Sequence, residues 1–256
     1  MVRIVAVVGG KHSGKTTIIQ NLVRELKGRG YRVGSAKEMP NVKWVDVPGK
    51  ETWKHSEAGA EMVAGTAMNE TVLFVKRKLT ISELAAFFAG FDYLLLEGFE
   101  GEKTMAKIIA AKDAEEAQEF HDGLAIAVSG IIAESEGEAK KASTLGVPVL
   151  DCEQEIGRLA DLVVQKALPP FPGFARCGEC GYKFCHELAK AIIAGTANLR
   201  GCPLYDREDV VLEVNGKTVP LKSFPSMFIK KVLLGMVSSL NGVGHIEEIK
   251  LVVKRS

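Results

Sequence analysis

The sequence lacks several features, and each absence narrows its class. No apolar run reaches the roughly 18 to 20 residues that a helix needs to cross a bilayer, and Met1-Val2-Arg3 leads into a strand-like run instead of a signal-peptide core. These absences predict a soluble, cytoplasmic protein with no membrane partner. Charge of either sign is not in excess: 33 Lys and Arg against 32 Asp and Glu leave a formal net charge of +1. Such a balance provides no field to draw in nucleic acid, which is therefore not an expected partner. Cysteine is scarce, with five in 256 residues. An odd count without a secretory signal argues for reduced thiols or metal ligands over a disulfide framework. Internal repeats and low-complexity tracts are missing. So is the Asn-Lys-x-Asp tetrapeptide that reads guanine, and residue chemistry alone leaves GTP and ATP both open.

Against these absences stands one strong motif. Gly9-Gly10-Lys11-His12-Ser13-Gly14-Lys15-Thr16 fits G-x-x-x-x-G-K-[ST] and directly follows the apolar run Ile4 to Val8. A loop between a buried strand and a helix turns successive backbone N–H groups toward one point, where the helix dipole adds positive charge, so polyphosphate is the ligand that fits. Gly9, Gly10, Lys11, His12, Ser13, Gly14, Lys15, Thr16 and Thr17 are the candidate nucleotide-binding residues. Lys15 is the candidate catalytic group, reaching the β- and γ-phosphates, and the Thr16 hydroxyl is placed on Mg²⁺. Ile18, Ile19, Leu22, Val23 and Leu26 follow at helical spacing. A phosphate loop also needs an acidic group at the end of a neighbouring strand. Glu97, at the tip of Tyr93-Leu94-Leu95-Leu96, is the candidate, because a carboxylate there needs a cation or a basic partner.

Strand-like runs at Ile4 to Val8, Val72 to Val75, Tyr93 to Leu96 and Leu124 to Val128 alternate with helical stretches at Gln20 to Lys27 and Ser82 to Ala89. This predicts an α/β fold, a P-loop NTPase whose mostly parallel sheet is flanked by helices on both faces. Gly146 to Asp151 reads as its last strand and Glu155 to Lys166 as its last helix. Three of the nine prolines fall in Leu168-Pro169-Pro170-Phe171-Pro172-Gly173, so residues 168–173 are expected to be a stiff linker between a domain at 1–167 and a small α+β domain at 174–256. In the second domain, Val210 to Val214 and Lys217 to Leu221 flank Asn215-Gly216, a strong hairpin signal. Ser226 or Ser223 is the expected cap of a helix carrying Ile229, Val232, Leu233, Met236, Val237 and Leu240, and His245 to Val253 is the expected final strand. The patch Lys76-Arg77-Lys78 reads as a solvated strand end.

The phosphate loop, Val33-Gly34-Ser35-Ala36-Lys37, Asp46 with Pro48-Gly49-Lys50-Glu51-Thr52-Trp53-Lys54-His55 and Ala58-Gly59-Ala60, and Leu96-Glu97-Gly98-Phe99 together resemble the molybdopterin-guanine dinucleotide biosynthesis protein B family, MobB. The resemblance covers roughly residues 1–167. It implies a GTP-binding, dimeric P-loop protein that assists the nucleotidyltransferase attaching GMP to molybdopterin, with Thr16, Asp46 and Glu97 around Mg²⁺. A molybdo- or tungstoenzyme is a further implied partner, and GTP hydrolysis is expected to be slow. One departure stands out: Glu38-Met39-Pro40-Asn41 follow Lys37 where the family tends to carry histidines.

Cys177-x2-Cys180-x4-Cys185-x16-Cys202-Pro203 supplies four soft ligands, which select zinc or an iron–sulfur cluster. Three crowded cysteines and a distant fourth before proline favour a [4Fe–4S] cluster over paired zinc knuckles. The segment also resembles the small cluster-binding domain of corrinoid iron–sulfur proteins. Cys152 stands apart and reads as a small buried residue. Alternative readings of the whole chain are a nucleotide-dependent metal or cluster delivery protein and a module sensing nucleotide and redox state.

Overall fold

The computed structural model describes residues 1–171, 178–202, 210–219, 221, 223–240, 242–244, 246 and 248–253. It contains two compact units, Met1–Pro170 and Phe171–Ser256.

In the first unit, strand β1 (Arg3–Val8) is followed by helix α1 (Lys15–Gly28) and strand β2 (Val33–Lys37). Helix α2 (Glu51–Glu57), strands β3 (Met62–Thr66) and β4 (Thr71–Val75), and helix α3 (Ile81–Ala86) come next. The remainder is β5 (Tyr93–Glu97), β6 (Ala106–Ala110), α4 (Ala114–Phe120), β7 (Ala125–Ser129), α5 (Glu136–Ala142) and α6 (Ile156–Lys166). Five strands form one parallel sheet in the order β2-β5-β1-β6-β7. Every residue of β5, β6 and β7 is buried, as expected for a parallel sheet hidden on both faces. Helix α1 buries Ile18, Ile19, Leu22 and Leu26, the apolar stripe its sequence spacing dictates. Helix α3 starts at a capping box, in which the Thr80 hydroxyl accepts from Glu83 N–H and the Glu83 carboxylate accepts from Thr80 N–H. The Arg77 guanidinium, with hydrogen bonds donated by the Thr80 N–H and hydroxyl, pulls the pKa of the Glu83 carboxyl down to about 2.

Lys107 is the one charged side chain on β6, and it is only 2 % exposed. Its ammonium donates to Asp122 Oδ2 at 2.8 Å and to the Glu100 carbonyl at 2.9 Å, tying the β5–β6 connection to the approach to β7. Burial pushes the Lys107 pKa down while the Asp122 contact opposes it. Burial alone would raise the Asp122 carboxyl, but hydrogen bonds from Lys107 and Lys103 hold it below its usual range.

Several expectations are corrected here. Val72 to Val75 is a strand, yet it pairs antiparallel with β3 in a separate two-stranded sheet and not with the parallel one. Its Val72 and Leu73 are exposed, so the run is not a core strand at all. Gly146 to Asp151 forms only one parallel bridge, Val149 to Val128, because Pro148 offers a carbonyl and no N–H to the ladder. Leu168, expected in the linker, is buried, and its carbonyl accepts the Ile4 N–H at 2.7 Å, so its part of the chain packs on the first unit.

In the second unit, helix α7 (Cys185–Ile193), a hairpin of β8 (Leu212–Val214) and β9 (Lys217–Val219), and helix α8 (Ser223–Ser238) are present. Asn215 and Gly216 take φ of +54° and +74°, the turn that matches strand twist. Ser226 lies inside α8 and not at its cap, because the helix already begins at Ser223 with Pro225 in its first turn, where a missing N–H costs nothing. No described residue between 242 and 253 is in a strand, so the expected final strand is absent there. His245 lies outside the described residues.

Candidate functional site

Strand β1 occupies the middle of the sheet, and the chain leaves it through α1 toward β2 on one side while β5 leads to β6 on the other. The carboxyl end of β1 is thus a topological switch point, where open α/β sheets bind ligands. The phosphate-loop sequence fills that point. Gly9 has φ +142°, and a Cβ there would stand 1.9 Å from the Ala110 carbonyl oxygen at the end of β6. Gly130, just after β7, has φ +92°, and a Cβ there would stand 2.2 Å from the Ser13 carbonyl oxygen. These two glycines let the loop lie directly on the neighbouring strand ends. Gly14 caps α1 in the left-handed conformation, and His12 is left-handed as well, with φ +60°.

Ser13 is buried, and its hydroxyl donates to Gly10 O at 2.9 Å, closing the loop from inside. Lys15 folds over the loop, donating to Gly9 O at 2.7 Å and to Gly10 O. Lys11, His12, Thr16 and Thr17 are exposed along the rim. The Thr16 hydroxyl donates to Glu97 Oε1 at 3.0 Å, and Lys37 Nζ meets the same oxygen at 2.7 Å. Lys37 reaches it because β2 and β5 run in register, with Lys37 opposite Glu97. The buried carboxylate at the strand tip therefore has the basic partner that burial demands, one hydrogen bond from the phosphate loop.

Asp46 is placed differently. Its carboxylate accepts from Val47 N–H and Thr52 Oγ1, both at 2.9 Å, and pairs with Lys76 Nζ at 3.4 Å. The structure brings Thr16 and Glu97 together and engages Asp46 with the hairpin strand β4's exit instead. Trp44 and Trp53 pack edge to face beside it, 5.2 Å between ring centroids. Among the described residues no three His, Cys, Asp or Glu side chains gather closely enough to hold a metal ion. Sequence reasoning gave no role to Gly130, Glu116 or Glu38. Glu116 Oε1 would meet a Cβ on Gly10 at 2.0 Å, so its carboxylate lies against the loop, held by Lys112 N–H at 2.7 Å. A glycine directly after the buried strand β7 was a legible signal for Gly130; no sequence signal pointed to a role for the other two.

In the second unit, Cys180 lies between left-handed Gly178 and Gly181, with Gly181 N–H donating to Gly178 O at 3.1 Å. Cys185 is the first residue of α7, whose dipole favours a thiolate or an anionic cluster at that end. Cys202 follows a turn capped by Asn198. Cys180, Cys185 and Cys202 are thiols, not disulfides. Cys177 and Pro203 lie outside the described residues. Cys152 is buried in the first unit, and that burial, with Asp151 nearby, raises its pKa, which suits an inert core thiol.

Comparison with known proteins bears on both units. Residues 4–131, half of the chain, match the sequence model of the family MobB, described as "Molybdopterin guanine dinucleotide synthesis protein B". Residues 175–204 match a family described as "Putative Fe-S cluster". A Methanocaldococcus jannaschii protein named "Putative molybdopterin-guanine dinucleotide biosynthesis adapter protein" is 25% identical over 254 residues, covering 97% of this chain and 96% of that protein. The Escherichia coli molybdopterin-guanine dinucleotide biosynthesis adapter protein is 29% identical over 119 residues, 44% of this chain and 67% of its own length. The crystal structure of Bacillus subtilis MobB, 22% identical, superposes with a TM-score of 0.52 over 66% of this chain and 99% of that one, a likeness of fold. Among the described residues no helix is long and apolar enough to cross a membrane.

Proposed function

The chain belongs to the MobB family, and from that premise we propose that it is a GTP-binding adapter in molybdenum or tungsten cofactor biosynthesis, assisting a guanylyltransferase that forms molybdopterin guanine dinucleotide. The observation that carries this reading is the Thr16–Glu97 hydrogen bond beside Lys15, at the mouth of a loop whose glycines lie on the strand ends. Loop amides from Gly10 to Thr16 and the α1 dipole bind the phosphates. Lys15 would exchange the Gly9 and Gly10 carbonyls for the β- and γ-oxygens and neutralise them, and Thr16 and Glu97 would hold Mg²⁺, which supplies charge neutralisation there. Asp46 orders the segment that follows β2, through Thr52 and Lys76. Hydrolysis rests on charge neutralisation alone and is slow. A homodimer is the working assembly.

The cysteine set fits an iron–sulfur cluster by its donor chemistry: thiols on a glycine-bent loop and at a helix N-terminus. Cys177, Cys180, Cys185 and Cys202 would hold a [4Fe–4S] cluster, with zinc as the alternative metal. When bound, such a cluster supplies one-electron chemistry or a structural staple, since four protein ligands leave no open position. Titration of the protein with GTP and with ATP, with and without Mg²⁺, tests the nucleotide reading. Tighter Mg²⁺-dependent binding of GTP supports it, and equal affinity for both nucleotides contradicts it. Anaerobic preparation is expected to yield close to four irons per chain, and zinc in their place would replace the cluster.

A further inference from the structure

We propose that Glu38 is a positioning residue for Glu97, holding the turn after β5 in the one conformation that aims the Glu97 carboxylate at Thr16. This rests on the reading that Glu97 serves the Mg²⁺ of a bound nucleotide.

Glu38 grips the Glu97-Gly98-Phe99 turn at both ends. Its N–H donates to the Glu97 carbonyl at 2.9 Å, and its Oε2 accepts the Phe99 N–H at 2.9 Å. That turn is strained, with φ +90° at Gly98 and +59° at Phe99. A left-handed aromatic residue persists only where its surroundings fix it. Phe99 packs against the sheet core, and its N–H has lost the ladder partner a straight strand would give it. The carboxylate of Glu38 replaces that partner with a charge-assisted bond. Contact is close as well, since a Cβ on Gly98 would lie 3.3 Å from Glu38 Cβ. The other carboxylate oxygen, Oε1, takes Lys78 Nζ at 2.8 Å, fixing the side chain from its exposed side. Lys37, the residue before it, meets Glu97 Oε1 directly. Lys37 and Glu38 thus hold Glu97 through its carboxylate and through its backbone.

The test is GTP titration in Mg²⁺ and in EDTA, for wild type, Glu97→Gln, Glu38→Gln, Glu38→Ala and Glu38→Leu, each checked by thermal unfolding. Glu38→Ala and Glu38→Leu both remove the acceptor, so one folded variant suffices. Each is expected to lose about tenfold or more of the affinity that Mg²⁺ adds, as groups orienting a metal ligand do, while affinity in EDTA stays at the wild-type value. Glu38→Gln, which keeps an acceptor for Phe99 N–H, retains most of the Mg²⁺ gain. A full Mg²⁺ gain in Glu38→Ala or Glu38→Leu, beside a lost gain in Glu97→Gln, overturns the positioning role. An equal loss in EDTA also overturns it, because that marks general damage to the loop. An unchanged gain in Glu97→Gln removes the underlying reading of Glu97 and the proposal with it.

Discussion

Replacing Gly9 by alanine is expected to cost the fold about 3 kcal/mol or more and to reduce GTP affinity by about 100-fold or more, from backbone strain and overpacking combined. At φ +142° an L-residue is strained whatever space surrounds it, and here there is none. The added methyl would lie 1.9 Å from the Ala110 carbonyl oxygen and 3.1 Å from Ser13 Oγ. Ala110 cannot retreat, because β6 is hydrogen-bonded between β1 and β7. The loop must move instead, and it carries the amides proposed above to bind phosphate. Urea unfolding and GTP titration of Gly9→Ala measure the two effects. A variant of wild-type stability that binds GTP normally would contradict the loop geometry.

Asp122→Asn is expected to cost about 3 to 5 kcal/mol at neutral pH, the usual cost of breaking a buried ion pair from one side. The asparagine keeps an oxygen for the Leu124 N–H, so the change isolates the charge. Lys107, only 2 % exposed, would keep the Glu100 carbonyl and lose its counter-ion. Its pKa, already lowered by burial, would fall further. The unfolded chain then binds more protons than the native one between the lowered native pKa and the unfolded lysine value near about 10.4, so stability rises with pH across that window. The deficit relative to wild type should therefore shrink as pH is raised from neutral to alkaline. Urea midpoints at both pH values measure it, and a small cost that ignores pH would show that Lys107 is not held by charge.

What was legible in the sequence was local chemistry with a short reach. The phosphate loop needs glycines at fixed spacing after an apolar strand, and Asn215-Gly216 needs two positive φ angles; both requirements are written in the residues themselves. The sheet was harder to read. β6 is Ala-Lys-Ile-Ile-Ala, whose buried lysine looks polar until Asp122, 15 residues away, is brought to it. Val72 to Val75 looks like a core strand by composition, because β-propensity does not say which sheet a strand joins or whether it joins as an edge hairpin. Glu97 was legible from the cost of an unpaired carboxylate, but its partner Lys37 depends on the register of β2 against β5. The role of Glu38 was not legible, since its bonds to Phe99 and Lys78 span 61 and 40 residues. For the cysteines the spacing carries the reading, and the family match over residues 175–204 supports it.

The central claim is that the phosphate loop works in cofactor maturation. Its most direct test is the formation of molybdopterin guanine dinucleotide from molybdopterin, Mg²⁺ and GTP by a purified guanylyltransferase under anaerobic conditions, with this protein, with its Lys15→Ala variant, and without either. The account predicts stimulation by the wild-type protein that Lys15→Ala abolishes. No stimulation at saturating wild-type protein, or equal stimulation by the variant, would contradict it.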